Sequence, residues 1–172
     1  MNIQHDHNSA TFTPRSFPIT VVCDGLQSPA NLGSLFRLCD AFGIKEVVLC
    51  GSHTNLDTPR LRRTSRATMA SLRIRQWEST KEYVAQLEPS KYLTIALEYS
   101  TESQAIDAFN LTPNLPLLLF IGNESNGVSQ LVLDWVAHTL HIDMFGINSS
   151  MNVTQAAGIA LYELTQKLLG QR

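Results

Sequence analysis

A nearly pure apolar run at residues 115–121 is the feature that most constrains the fold. Strands of a parallel sheet are buried on both faces, so they read as continuous apolar runs rather than as alternating patterns. Other strand-like segments alternate along the chain with segments of helical periodicity, which is typical of βαβ units. We therefore predict an α/β domain with a mostly parallel, six-stranded sheet flanked by helices on both faces.

The six predicted strands lie at residues 19–26, 46–50, 72–77, 92–98, 115–121 and 138–144. Apolar residues at helical spacing predict a helix from Leu32 to Phe42, which ends at Gly43. Further helices are predicted at residues 80–87, 103–109, 129–136 and 153–169, of which the one at 103–109 is short and polar. The segment between the second and third strands is predicted to be part loop and part helix.

The length of 172 residues, with 44% hydrophobic and 16% charged residues, is typical of one globular domain. Residues 1–17 are polar and aperiodic, so we predict a flexible arm followed by a single domain at residues 18–172. No apolar run is long enough to span a bilayer, and the polar N-terminus is not typical of a signal peptide. Cys23, Cys39 and Cys50 are widely spaced, which favours reduced, mostly buried thiols in a cytoplasmic protein.

The positive charge is concentrated in one segment, although the net charge of the chain is −2. Residues 60–75 contain six of the 13 basic side chains and no acid, while the rest of the chain carries all 15 acids. The six are Arg60, Arg62, Arg63, Arg66, Arg73 and Arg75. Such segregation indicates either a local surface for an anionic partner or a solvated arginine-rich helix face.

Three polar turns, each following a predicted strand, share one design at residues 28–37, 120–127 and 142–155. Asn152 stands where an N-cap would open the last helix. Ligands of open parallel sheets bind at the carboxyl ends of strands, where small-residue turns leave backbone groups free. These turns therefore predict one binding site built from loops along one edge of the sheet.

Several familiar catalytic patterns are absent from the sequence. There is no HExxH, no CxxC, no Walker lysine, no GxGxxG and no GxSxG elbow. The glycines Gly122 and Gly127 could cradle a phosphate or only shape a tight turn. Arg37 could be functional or a surface side chain, Asn152 is a helix cap first, and Glu124 could simply bind a backbone N–H.

Taken together, the three turns resemble the three motifs of the SpoU (TrmH-like) branch of the SPOUT RNA methyltransferases. The resemblance covers residues 28–163. The residues that carry it are, in chain order, 31–33 with Arg37 and 41–43, then 122–124 with 127–129, then Ile142, Gly146, 150–153, Ala156 and 162–163. The order and spacing of all three motifs make the resemblance specific, and the chain is identified on this basis as a member of the branch.

The resemblance implies methylation of a ribose 2′-OH in RNA with S-adenosylmethionine as donor and no metal. Compact members often act on tRNA, which makes tRNA the expected substrate and rRNA the alternative. It also implies a homodimer and a deep C-terminal trefoil knot, a feature nearly absent from other folds. The residues implied to bind the cofactor are Leu97, Glu98, Tyr99, Ile121, Gly122, Asn123, Ile142, Gly146, Ser150 and Met151. The residues implied in catalysis are Asn31, Arg37, Glu124, Ser150 and Asn152.

Arg37 occupies the position of the family's activating residue, but arginine almost never loses its proton and is a poor general base. We interpret Arg37 as binding the substrate phosphate and stabilising the developing alkoxide, so that the phosphate helps to take the proton. Asn31 would orient Arg37 or the ribose. Glu124, Ser150 and Asn152 would hold the loops and the amino-acid end of the cofactor. Arg60, Arg62, Arg63 and Arg66 are expected to contact RNA.

The sequence departs from the family pattern at a few positions. Met151 replaces a Leu, Thr154 replaces a Ser, and Asp143 stands where Pro is common, which puts a carboxylate beside the expected cofactor loop. The segment at residues 64–71 differs more and carries more charge. A non-catalytic RNA-binding paralogue is the main alternative, although the intact motif residues argue against it. A small-molecule hydrolase or nucleotide binder would need a nucleophile elbow or phosphate loop.

Overall fold

The computed structural model describes residues 12–51, 54–65, 67–112, 114–148 and 150–170. Its centre is one sheet in which every strand pair is parallel. The strands lie in the order β3-β2-β1-β6-β4-β7-β5. Their bounds are β1 Ile19–Asp24, β2 Glu46–Cys50, β3 Arg73–Trp77, β4 Leu93–Leu97, β5 Gln104–Ala105, β6 Leu117–Ile121 and β7 His138–His141. The prediction of a parallel sheet is confirmed.

Helices cover both faces of the sheet. They are α1 Pro29–Ala41, α2 Pro59–Ser65, α3 Thr80–Ala85, α4 Gln130–Trp135 and α5 Val153–Leu168, with short 3₁₀ turns at Thr68–Ser71 and Pro89–Lys91. Side chains of α1, α2 and α5 share one apolar core with alternate residues of the strands. Side chains of α3 and α4 share a second core with the remaining strand residues. The prediction that helices flank the sheet on both faces is therefore confirmed.

Strand β6, at the centre of the sheet, carries the apolar run that predicted this fold. All five of its residues are buried. Leu119 and Ile121 belong to the core under α1 and α5, while Leu118 and Phe120 belong to the core under α3 and α4. Alternation of side chains along a strand explains why both sets must be apolar when helices cover both faces.

The sheet has seven strands, so the predicted number of six is wrong. The additional strand is Gln104–Ala105, which pairs with Leu140 and His141 of β7 at the edge of the sheet. This segment was expected to be a short polar helix at residues 103–109. A two-residue edge strand has too few positions for a period-2 pattern, and its polar composition comes from exposure at the edge.

Five of the six predicted strands are also shorter in the structure, and two of them end early for an identifiable reason. Strand β1 ends at Asp24 because Gly25 takes a positive φ of 78°, which turns the chain out of the sheet. Strand β7 ends at His141, so Ile142 and Met144 are free to line a cavity rather than to pair. Apolar side chains that line a binding site give the same apolar pattern in the sequence as buried strand residues do.

Helix α2, the helical part of the arginine segment, packs closely on α1 at Gly33. A Cβ atom on Gly33 would lie 1.9 Å from Thr64 Oγ1 and 3.0 Å from the backbone nitrogen of Ser65. The glycine of the first motif therefore permits the contact between two helices. It brings the arginine-bearing helix against the helix that carries Arg37.

The three cysteines are buried, and Phe17, near the start of the described chain, packs against the main core. Cys23, Cys39 and Cys50 are free and buried, as predicted. Phe17 donates its N–H to the Gly43 carbonyl over 3.1 Å, and its side chain packs on the main core. Most of the predicted arm, residues 1–11, lies outside the described residues. Within the part of the chain that is described, no helix is long and apolar enough to cross a bilayer.

The close approach of α1 and α2 reverses the usual effect of a helical glycine substitution. Gly→Ala inside a helix ordinarily stabilises by about 1 kcal/mol. Gly33→Ala should instead lower the free energy of unfolding by about 1–3 kcal/mol, because the added methyl group overlaps Thr64. Urea denaturation measures the change. Ser34→Ala at the exposed neighbouring position is the control and should stay within about 0.5 kcal/mol. Gly33→Ala as stable as wild type would contradict the close contact.

Candidate active site

The sheet order brings the ends of four strands together. Strands β1, β6, β4 and β7 are consecutive neighbours in the sheet, and all run in the same direction. The turns that follow them therefore meet at one edge. These are the three polar turns singled out in the sequence, together with the loop that begins at Glu98.

An open cavity of about 410 Å³ lies between these loops. Its walls come from the loop after β4, the turn after β6 and the stretch between β7 and α5. The lining residues are Leu97, Glu98, Tyr99, residues 121–127, His141, Ile142, Met144 and residues 150–153 with Ala156. Apolar side chains and the polar turn at residues 122–127 both line it, a combination typical of small-molecule sites.

Nine of the ten residues expected to bind the cofactor line this cavity. Gly146 is the exception, since it is not among the lining residues and a Cβ there would meet nothing within 4 Å. Of the five residues expected in catalysis, Glu124, Ser150 and Asn152 line the cavity, while Asn31 and Arg37 do not.

The turn at residues 122–127 folds back on itself. Asn123 and Gly127 exchange two backbone hydrogen bonds of 3.1 and 3.2 Å, and Asn123 Oδ1 accepts from the N–H groups of Ser125 and Asn126. A Cβ on Gly122 would lie 2.0 Å from the backbone carbon of Gly127. Of the two sequence interpretations, the glycines therefore at least shape a tight turn, and this turn forms one wall of the cavity.

Glu98 joins two walls of the cavity. Its Oε2 accepts the N–H of Val128 over 2.8 Å, and its Oε1 accepts the N–H of Tyr99 over 3.0 Å. The side chain thus ties the loop after β4 to the turn after β6. The sequence indicated Glu98 as a cofactor contact through the family resemblance, but not this bridging contact.

A chain of side-chain hydrogen bonds connects the three polar turns. Asn31 Nδ2 donates to Glu124 Oε1 over 2.8 Å, and Asn152 Nδ2 donates to Asn31 Oδ1 over 3.2 Å. Asn152 Oδ1 in turn accepts the N–H of Thr154 over 2.9 Å, which caps α5. Asn31 therefore sits between Glu124 and Asn152, and both functional groups of its amide are used.

Glu124 also lies at the start of α1. Its Oε1 accepts the backbone N–H of Ser28, the N-cap of that helix, over 3.1 Å. Burial by itself raises the pKa of Glu124, but hydrogen bonds from Asn31 and from backbone groups outweigh it, so the pKa lies below its ordinary value. An anion at a helix N-terminus is also favoured by the helix dipole. Glu124 is therefore held as a carboxylate.

The arginines lie outside the cavity. Arg37 is exposed on α1, two turns beyond Asn31, and Arg60, Arg62 and Arg63 are exposed on α2. Arg62 pairs with Asp57 over 3.1 Å. Arg66 lies outside the described residues. Since α1 and α2 pack together, the exposed arginines belong to one side of the domain.

His141 lines the cavity although the sequence did not single it out. Its Nδ1 lies 2.9 Å from Ser103 Oγ and its Nε2 lies 3.2 Å from Asp143 Oδ1. Asp143, the residue that replaces a family proline, thus contacts His141 and is not among the lining residues. The strand was predicted to continue to residue 144, so the sequence carried no signal that His141 stands at its end.

Among the described residues, no cluster of three or more His, Cys, Asp or Glu side chains is placed to hold a metal ion. Burial raises the pKa of Cys39 and of Cys50 to about 12 and that of Cys23 well above its usual range. These thiols therefore stay protonated and are poor nucleophiles.

Glu124 should make stability depend on pH in a specific direction. A carboxyl whose pKa is lowered on folding stabilises the fold above its ordinary pKa of 4.5, and this stabilisation is lost as the pH falls through the folded value. Between about pH 6 and pH 3, the free energy of unfolding of Glu124→Gln should therefore fall less than that of wild type. The difference should be less than about 1 kcal/mol, because the carboxylate is exposed.

Urea denaturation across that pH range measures the effect. Glu88→Gln is the control, since Glu88 pairs with Lys91 on the surface away from the three turns. Identical pH dependence in wild type and Glu124→Gln would contradict the effect of these hydrogen bonds on the carboxylate.

Comparison with known proteins places this geometry in a family. A Staphylococcus haemolyticus protein, named as a TrmH family tRNA/rRNA methyltransferase, is 28% identical over 147 residues, which are 86% of this chain and 58% of that protein. The chain thus spans less than two thirds of the length of this relative.

Two solved structures share the fold. The SpoU methyltransferase AviRb from Streptomyces viridochromogenes, solved with AdoMet, superposes with a TM-score of 0.79 and 26% identity over 96% of this chain and 65% of that chain. A structure described as giving insights into 2-OH methylation of C/U34 on tRNA superposes with a TM-score of 0.77 and 25% identity, over 88% of this chain and 97% of that chain.

The family model for the SpoU rRNA Methylase family matches residues 18–162. This range includes all three polar turns and every residue that lines the cavity. The sequence resemblance is confirmed, and the chain belongs to the SpoU rRNA Methylase family.

Proposed function

We propose that this protein transfers a methyl group from S-adenosylmethionine to a ribose 2′-OH of RNA. One observation carries the proposal. The three family motifs, far apart in sequence, are joined by the Glu124–Asn31–Asn152 hydrogen bonds at the rim of one cavity. A binding site for a methyl donor and a nucleic-acid-binding helix face would then be adjacent.

The residues of the cavity suit the proposed cofactor. Its volume of about 410 Å³ falls in the range of small-molecule sites. Leu97, Ile121 and Ile142 offer apolar contacts for an adenine ring, and the tight turn offers backbone groups for its polar edge. Glu98 and Glu124 give the cavity an acidic character, which favours a ligand with cationic sulfonium and ammonium groups. AviRb, solved with AdoMet, supports the same assignment.

The cofactor would supply a methyl group on a sulfonium sulfur, which an oxygen nucleophile displaces in line. The protein then has mainly to position the ribose oxygen and stabilise its charge as its proton passes to the neighbouring substrate phosphate. Arg37 would bind the neighbouring phosphate and stabilise the alkoxide through its planar guanidinium. Glu124, Ser150 and Asn152 would hold the loops that define the cavity. No metal is included in this proposal.

The position of Arg37 makes a homodimer part of the proposal. The side chain is exposed on α1 and is not among the residues that line the cavity of its own chain. In a dimer, Arg37 of one protomer would complete the site of the other. Ile159 and Tyr162, exposed on α5, offer a surface for such an assembly, and Phe42, which follows α1, packs against Tyr162. We also propose the family's C-terminal trefoil knot for this chain.

We propose tRNA as the substrate, with rRNA as the alternative. A structure described as giving insights into 2-OH methylation of C/U34 on tRNA is matched over 97% of its own chain, which supports this choice. The exposed arginines of α2 would contact the RNA backbone. A non-catalytic RNA-binding paralogue would share these contacts but not the methyl transfer.

Arg37 provides the test of the proposed reaction. Deletion of the gene should remove one 2′-O-methyl nucleoside from tRNA or rRNA, and wild-type protein should restore it. Arg37→Ala should fail to restore it. Arg37→Lys should restore it at least about tenfold more slowly, because the charge is kept but the planar fork is lost. Nucleoside mass spectrometry measures the product.

Lys81→Ala is the matched control, because Lys81 is exposed on α3 at the opposite face of the sheet. It should restore the nucleoside fully. RNA binding with no missing methyl nucleoside would favour the non-catalytic paralogue. Wild-type rates in Arg37→Lys would refute the role of the guanidinium fork.

The arginines of α2 should contribute electrostatically to RNA affinity. Each Arg→Ala change at Arg60 or Arg63 should weaken RNA binding and reduce the slope of log K against log [salt] by about 0.7–0.9, as expected for one lost phosphate contact. Filter binding or fluorescence anisotropy at several salt concentrations measures the slope. Lys81→Ala should leave it unchanged, and unchanged slopes in the arginine variants would remove α2 from the RNA surface.

A further inference from the structure

The hydrogen-bond partners of His141 leave no acceptor role for its ring. Ser103 Oγ donates its one proton to the Ser100 carbonyl over 2.7 Å and accepts the Ser100 N–H over 3.0 Å. It can therefore only accept from Nδ1 of His141, 2.9 Å away. Nε2 faces a carboxylate oxygen of Asp143 at 3.2 Å. Both ring nitrogens are satisfied together only when both carry a proton, which is the imidazolium form.

The same ring supports a wall of the cavity. Tyr99 packs edge-on against His141 with ring centroids 5.2 Å apart, and both residues line the cavity. The loop from Tyr99 to Ser103 then leads into β5, and Ile106 donates its N–H to the His141 carbonyl over 2.9 Å. His141 is thus one of the points at which this segment is attached to β7, beside the pairing of Gln104 with Leu140.

We propose that the His141 imidazolium, held by Asp143, latches the loop at residues 99–103 onto β7 and thereby positions Tyr99 in the wall of the cofactor cavity. Asp143 is a positioning residue, since it does not line the cavity and acts through His141. The effect on cofactor affinity rests on the proposed function, whereas the attachment of the loop does not. The latch gives a role to Asp143, the residue that replaces a family proline.

The latch should be sensitive to pH. When the ring becomes neutral, one nitrogen presents a lone pair either to the Asp143 carboxylate or to Ser103 Oγ, and one attachment is lost. The titratable groups in contact with the ring are Asp143, which follows its own strand, and Tyr99, on the loop after β4. The His141 side chain is 16% exposed and that of Asp143 is 55% exposed, so solvent weakens the pair.

Calorimetric titration of S-adenosylmethionine at about pH 6 and pH 8.5 tests the proposal. Wild-type affinity should be about two- to fivefold weaker at the higher pH than at the lower. Asp143→Asn and His141→Gln should show the weaker affinity already at the lower pH and a flatter profile. His138→Gln is the matched control, since His138 lies on the same strand, packs against Phe109 and does not line the cavity. Comparison of variants at each pH cancels the ionisation of the cofactor itself.

Hydrogen exchange of the peptide covering residues 99–106, measured without cofactor at about pH 6, separates this proposal from the proposed function. Faster exchange in Asp143→Asn but not in His138→Gln supports the latch, even if the protein fails to bind S-adenosylmethionine and the proposed function is wrong. Exchange equal to wild type in Asp143→Asn overturns the latch. So does an Asp143→Asn protein that keeps the wild-type pH profile for cofactor affinity.

Discussion

The site depends on the hydrogen bonds of one side chain, the amide of Asn31. Its nitrogen donates to Glu124 and its oxygen accepts from Asn152, so it links the turns after β6 and β7 to the start of α1. Both partners have second roles, because Glu124 accepts the Ser28 N–H and Asn152 caps α5. Two helix starts and one tight turn are thereby held together. A side chain that uses both ends of its amide cannot be replaced by a donor or an acceptor alone.

This link can form only because of the order of strands in the sheet. Strand β6 lies between β1 and β4, and β7 lies beyond β4, so turns from distant parts of the sequence end at one edge. Close contacts then fix the details. Gly33 lets α2 approach α1, and Gly122 lets the turn after β6 fold against Gly127. The carboxylate of Glu98 joins the remaining loop to this turn. The cavity is therefore the space left between loops whose mutual positions are set by packing and by hydrogen bonds that join one loop to another.

Local patterns predicted most of the elements, and their failures have physical causes. The buried run of β6 and the capped start of α5 were visible because burial and capping select residue types at fixed spacings. Strand β5 was missed because a strand of two residues is too short to show a periodic pattern. Strand β7 was predicted too long because Ile142 and Met144, which line the cavity, are apolar like strand residues. Nine of the ten residues that the family resemblance implied for the cofactor line the cavity, as do Glu124 and Asn152, whereas Gly146 does not and His141 was not foreseen.

The sequence by itself determined the parallel α/β class, the family and the residues of the three turns, because periodicity, capping and motif spacing are local properties that residue types record directly. Only the tertiary structure decided which side chains meet. It showed Asn31 bound to Glu124 and Asn152, Arg37 exposed away from the cavity of its own chain, and Asp143 paired with His141. These contacts join residues that are mostly far apart in sequence, and hydrogen bonds depend on distances and angles that arise only when the strands have taken their places in the sheet.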